Sequence, residues 1–295
     1  MANRANFTGT GVAMITPFND DGSLNIDRLE VHTDNLIGKG VEYLVVLGTT
    51  AETPTLSKDE KLKIIEVTKK VNGGRVPMVV GAGGNNTEEV VNWIREIGTD
   101  GIDAYLSVAP YYNKPSQQGM KAHFSAIAAS SELPLMLYNV PGRTGSNITA
   151  ETTLELAHEL GDKIVAIKEA SGDLGQVMRI ISDKPEGFQV VSGDDAIALP
   201  IISLGGDGVV SVVGNALPDL FSGMIRDALA GDLEAAREKH YRVLPFIDLI
   251  FREGNPCGVK ALMQVLGYGT SNLRLPLIPA TGALIEDIKA AVARL

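Results

Sequence analysis

Eight short apolar runs recur along the chain, each closed by turn residues and followed by a longer stretch with helical spacing. They are GTGVAMITPF from Gly9, VEYLVVLG from Val41, VPMVVGAG from Val76, AYLSVAP from Ala104, PLMLYNVP from Pro134, IVAIKEAS from Ile164, FQVVSGDD from Phe188 and GVVSVVGN from Gly208. Nearly continuous apolar runs are what parallel strands covered on both faces require. Their starts lie roughly 20 to 35 residues apart, enough for a right-handed βαβ crossover each time. Helix signals fill the gaps. SKDE, Ser57 to Glu60, reads as a capping box ahead of KLKIIEVTKKV, and NTEE, Asn86 to Glu89, reads the same way ahead of VVNWIREIG. Eight strands interleaved with helices predict an α/β fold, a (β/α)8 TIM barrel. An open doubly wound sheet is the rival, but no dinucleotide signature supports it. After the eighth run about 80 residues remain, more than the single helix that closes a barrel needs. The predicted organisation is a barrel over residues 1–230 with a helical C-terminal extension, 231–295, packed on it.

In such a barrel, chemistry gathers at the carboxyl ends of the strands. The second run ends in GTTAE, giving Thr49 and Thr50; the fourth ends in APYYNKPS, giving Tyr111 and Tyr112. YNVPGRTG at the end of the fifth gives Tyr138 and Arg143, and SGDD at the end of the seventh gives Gly193, Asp194 and Asp195. The sixth run carries Lys168, where the pattern asks for a hydrophobe. Strand alternation puts Ala166, Lys168 and Ala170 on one face and Val165, Ile167 and Glu169 on the other, the latter read as the apolar face toward the helix layer. Two alanines beside an inward lysine leave room for a small molecule. A desolvated amine has a lowered pKa and can condense with a carbonyl to a Schiff base. A salt bridge to Asp194 is the competing reading. Tyr138 favours chemistry, because carbinolamine formation and dehydration need a group that both gives and takes a proton. Thr49, Thr50 and Tyr112 add hydroxyls for a relay, although each threonine could equally cap a turn. Arg143 offers a fork for a carboxylate, or else a surface ion pair. The glycine clusters GAGG and GGDG lack the form of a phosphate loop and are read as turns. GDD at Gly193 lacks further ligands for a metal.

Composition narrows the classes. The chain has 295 residues, 44% of them hydrophobic, and a formal net charge of −10. It can bury a sizeable core, and it offers no basic surface for nucleic acid. Its single cysteine, Cys257, excludes internal disulfides and reads as a packed small hydrophobe. The four histidines are scattered, none pairing with another at helical ligand spacing, so no metal is expected. The expected setting is cytoplasmic, without membrane or nucleic-acid partners.

GTTAE, PYYNKPSQ, LYNVPGRTG, IKEASGD, SGDDA and GGDGVVSV together resemble, nearly end to end, the dihydrodipicolinate synthase family of pyruvate-dependent lyases. The likeness extends through NPCGVKALM into the last helices. It implies a first committed step of lysine (diaminopimelate) biosynthesis, without a cofactor, in which Lys168 forms an imine with pyruvate and Tyr138 transfers protons. Thr49 and Tyr112 would complete the relay. Thr50, Val210 and Gly193 would hold pyruvate, and Arg143 would take the carboxylate of L-aspartate 4-semialdehyde. The same likeness implies a homotetramer built as a dimer of dimers, with Tyr111 packing across the tight contact. Another pyruvate-dependent aldolase, acting on N-acetylneuraminate or a 2-keto-3-deoxy sugar acid, is the alternative, and Arg143 argues against it. Asn85, Glu89 and Tyr111 match the family's lysine-inhibition pocket. Lys58 and Lys61 stand where lysine-sensitive members usually have histidines, so weak or absent feedback is expected. Ala51 stands where a glycine is more usual, with no loss of activity expected.

Overall fold

The computed structural model of the chain describes residues 6–295. The strands are β1 (Gly9–Ala13), β2 (Tyr43–Val46), β3 (Met78–Gly81), β4 (Ala104–Val108), β5 (Leu135–Asn139), β6 (Ile164–Glu169), β7 (Gln189–Ser192) and β8 (Gly208–Ser211). All pair in parallel with their sequence neighbours, and β8 pairs with β1, closing a barrel. The helices are α1 (Ile26–Gly38), α2 (Lys58–Asn72), α3 (Thr87–Ile97), α4 (Gln117–Ser130), α5 (Pro141–Thr144), α6 (Ala150–Leu160), α7 (Leu174–Asp183), α8 (Ala198–Ser203), α9 (Pro218–Leu229), α10 (Leu233–Arg252), α11 (Cys257–Val265) and α12 (Gly282–Val292). Each of the eight apolar runs contains one strand, and the long tail folds into the predicted helices.

The start of α2 is held as its sequence predicts: the Ser57 hydroxyl accepts from the Glu60 N–H while the Glu60 carboxylate accepts from the Ser57 N–H. At α3 the cap is one-sided. Asn86 accepts from the Glu88 N–H, and Glu89 is exposed rather than folded back onto the cap.

The barrel interior is filled by inward residues of successive strands, among them Val45, Val79, Leu106, Met136, Ala166, Val191 and Val210. Tyr43 reaches across it to donate to the Val209 carbonyl at 3.1 Å. It fits only because position 11 is glycine: a Cβ there would stand 2.1 Å from the Tyr43 ring. Outside the strands, one apolar cluster lies beneath α1 to α7, and a second joins Val209 and α8–α9 to Phe246, Ile250, Leu262 and Ile288 of the extension. The extension therefore shares its core with the barrel. Among the described residues, no helix is long and apolar enough to cross a membrane.

Two details depart from simple alternation on β6. Its register with β5 shifts between Leu135 and Met136, so that Ile164 and Ala166 face consecutive β5 residues. The bulged Val165 consequently joins the interior cluster instead of the helix layer. The outward face is not wholly apolar either, because Glu169 lies there 1% exposed. Its carboxylate is satisfied by Asn139 Nδ2 at 3.0 Å, Gln176 Nε2 at 2.8 Å and the Ser171 N–H at 2.9 Å.

Candidate active site

Lys168 and Tyr138 are cross-strand partners on β6 and β5. Both point into the barrel near its carboxyl end, 4% and 6% exposed. The Lys168 Nζ sits 4.2 Å from the centre of the Tyr138 ring, a cation–π distance. No carboxylate pairs with it among the described residues. The competing salt bridge to Asp194 does not form, since that carboxylate accepts from the Ala196 N–H at 2.9 Å. Asp195 is also engaged elsewhere: one oxygen accepts from the Val212 and Val213 N–H groups, and burial raises its pKa to about 6.

Space for the lysine comes from its small neighbours. A Cβ on Gly193 would stand 2.9 Å from Lys168 Cε and 2.7 Å from Ala170 Cβ. Val210 lies fully buried on β8, on the interior side.

Thr49 and Thr50 begin a short 3-10 turn after β2. Thr50 is buried, and Asn255 Nδ2 donates to its hydroxyl at 2.9 Å. Ala51 belongs to the same turn, and the left-handed residue is its neighbour Glu52, φ 57°. The methyl group that replaces the usual glycine therefore meets no positive φ. Arg143 lies on α5, exposed and without an ion-pair partner among the described residues. Lys114 lies close by, against Gly145. Tyr112 stands apart from Tyr138. It is 89% exposed with φ 72°, and no hydrogen bond joins the two phenols.

Asn85 and Tyr111 are brought together, Asn85 Nδ2 donating to the Tyr111 carbonyl at 3.1 Å. Glu89 follows on the exposed side of α3. Lys58 pairs with Glu96 at 2.5 Å, and Lys61 lies 6.0 Å from the Trp93 ring with its pKa lowered by burial. The Lys58 charge is thus offset by an acidic partner, whereas Lys61 has an aromatic neighbour.

Two polar clusters around the site were not read from the sequence. In one, Glu52 is buried against Lys260 of α11, Oε1 to Nζ 2.5 Å, with both side chains fully buried. The Asn272 carbonyl also accepts from Lys260 at 2.8 Å, and the Arg274 N–H donates to Glu52 at 3.1 Å. In the other, Glu169, Asn139 and Gln176 tie β5, β6 and α7 to the loop at Asn147 and Ile148. A charged residue at a helix-facing strand position, as at Glu169, was the available signal. The Glu52–Lys260 pair, 208 residues apart, left none.

A sequence model of the "Dihydrodipicolinate synthetase family" matches residues 6–295. A 4-hydroxy-tetrahydrodipicolinate synthase of Parabacteroides distasonis is 49% identical over 290 residues, 98% of this chain and 97% of that one. Among solved structures, the dihydrodipicolinate synthase of Thermotoga maritima superposes with a TM-score of 0.95 at 37% identity, covering 98% of both chains. The chloride-inhibited enzyme of Acinetobacter baumannii, complexed with pyruvate, gives 0.93 at 37% identity, covering 97% of this chain and 98% of that one.

Proposed function

The chain belongs to the dihydrodipicolinate synthetase family, and from that premise we propose how its own residues carry the reaction. The activity is that of a 4-hydroxy-tetrahydrodipicolinate synthase, a carbon–carbon bond-forming lyase of lysine biosynthesis through diaminopimelate. The names shared by relatives over nearly the whole chain favour it over the sialate and sugar-acid aldolases.

Lys168 attacks the keto carbon of pyruvate, and loss of water from the carbinolamine leaves an imine. One observation carries this reading: a buried amine, free of any carboxylate, faces a tyrosine across a floor of glycine and alanine. Tyr138 is placed to pass protons during dehydration and during loss of a methyl proton to give the enamine. That enamine attacks the aldehyde carbon of L-aspartate 4-semialdehyde. The amine of the second substrate then displaces Lys168 by transimination, which closes the ring and frees the lysine. Thr50 donates to the pyruvate carboxylate, while Val210 and Gly193 shape its seat. Arg143, exposed on α5 and without an ion-pair partner among the described residues, binds the carboxylate of the semialdehyde.

The relay from Tyr138 through Thr49 to Tyr112 requires Tyr112 to come from a neighbouring subunit. The exposure of Tyr111 and Tyr112, 42% and 89%, supports a homotetramer in which these tyrosines are covered. The reading also places the enzyme in the cytoplasm, and it takes Asn85, Glu89 and Tyr111 as the remnant of a lysine pocket.

Borohydride reduction in the presence of pyruvate tests the imine directly. The protein mass is expected to rise by one reduced pyruvate adduct, and Lys168→Ala to show none. An adduct that survives in Lys168→Ala would overturn the assignment. Turnover with pyruvate and aspartate semialdehyde, but not with sugar aldehydes, is the matching activity result.

A further inference from the structure

Thr49 and Thr50 follow the same strand, but only Thr50 is buried and has its hydroxyl held by another side chain. That side chain, Asn255, arrives from the turn between α10 and α11, 205 residues further along. A threonine hydroxyl carries one hydrogen and two lone pairs. Because Nδ2 of Asn255 donates to it, one lone pair is taken and the hydroxyl hydrogen is left to point elsewhere. A carboxylate accepts hydrogen bonds and cannot donate them. The arrangement therefore turns Thr50 into a donor for an anion. Without Asn255, a buried threonine would satisfy itself by donating to a nearby backbone carbonyl, as threonines in turns do.

Two further observations support a role beyond packing. Asn255 Oδ1 is buried without a partner among the described residues, whereas a residue serving stability alone would satisfy both ends of its amide. In addition, the Glu52–Lys260 pair joins the same two segments, two residues after Thr50 and five after Asn255, so the amide is held against the hydroxyl at a fixed distance.

We propose that Asn255 is a positioning residue of the helical extension, which sets the donor sense of the Thr50 hydroxyl toward the carboxylate of the bound α-keto acid. The proposal rests on the pyruvate reading given above. Its effect falls on pyruvate binding rather than on the fold.

The test measures the pyruvate concentration that gives half-maximal borohydride-trapped adduct in the full-length protein. Wild type is compared with Asn255→Ala and Asn255→Asp, each in the Thr50 and the Thr50→Val background, with thermal midpoints recorded in parallel. Asn255→Ala is expected to raise half-saturation about threefold to fivefold. Asn255→Asp is expected to raise it about tenfold or more, because an acceptor-only side chain captures the Thr50 hydrogen. Both effects should vanish in Thr50→Val, where no hydroxyl remains to be oriented. Should Asn255→Asp not fold, the Asn255→Ala pair in the two backgrounds carries the same comparison. Unchanged half-saturation in both Asn255 variants overturns the proposal. So does an effect that persists undiminished in Thr50→Val, which would report simple charge repulsion or loosened structure. If wild type itself traps no pyruvate, the underlying reading fails first, and that outcome is distinct from the others.

Discussion

At the scale of single residues, the site depends on what its neighbours lack. Gly193 has no positive φ to require glycine; it is bare because a methyl group would press on Lys168 Cε at 2.9 Å. Gly193→Ala should therefore push the amine from its place beside Tyr138, cutting adduct formation by about tenfold or more while the circular dichroism spectrum is retained. Asp195 supports a prediction on pH. Burial raises its pKa from 3.8 to about 6, so its contribution to stability is fully present below the unfolded value and is lost as pH rises through 6. Asn mimics the protonated acid, so Asp195→Asn should match wild type near pH 3.5. It should be more stable at pH 7 by roughly 1–3 kcal/mol, as read from denaturant midpoints at the two pH values. His32 and His123 act in the opposite sense. Burial lowers each to about 4, so their contribution is present above 6.5 and lost as pH falls toward 4. Across pH 4 to 6.5 the variant's stability should thus climb more steeply than that of wild type.

At the scale of elements, the apolar runs were legible because a strand covered on both faces must be apolar nearly throughout, and every run holds one. Lys168 stood out for the same reason, as a charge in a place that excludes charge. The polar residues that support it were less visible. Alternation alone assigns Glu169 to an apolar face, and the bulge at Val165 has no local signature in the sequence. Physically, alternation gives the side a residue faces, but not what meets it there. Glu169 is met by Asn139 and Gln176, and burial raises its pKa against the pull of those hydrogen bonds. Gln176→Leu would strip a donor from this buried carboxylate and should cost about 1–3 kcal/mol in chemical denaturation. Glu169→Gln should also destabilise, because both carboxylate oxygens accept hydrogen bonds and the amide NH2 would face the Gln176 or the Asn139 and Ser171 donors. On α2, Lys58 pairs with Glu96 of α3 while Lys61 has no ion-pair partner among the described residues, so inhibition by free lysine should not reach half at sub-millimolar concentration. A titration that does so would contradict the expected loss of feedback.

For the whole molecule, the family likeness and the succession of runs lead to the same barrel, and Lys168 and Tyr138 meet on adjacent strands of it. Contacts between distant segments could not be read from local pattern. Glu52 and Lys260 lie in unremarkable surroundings of the sequence, and only the closed fold brings them together in full burial. Removing one partner leaves the other charge stranded, so Lys260→Met should destabilise the protein by about 3–5 kcal/mol. Adding Glu52→Gln to that variant should recover much of the loss in a double-mutant cycle.

This long-range pairing has a consequence for how a molecule comes into being. Thr50 and Glu52 emerge from the ribosome 205 and 208 residues ahead of Asn255 and Lys260, the side chains that hold them. A nascent polypeptide would already carry Lys168 and Tyr138 long before the threonine floor is braced. Full affinity for the keto acid is thereby deferred until the extension has been made, and copies terminated before Asn255 would bind it more weakly than longer ones.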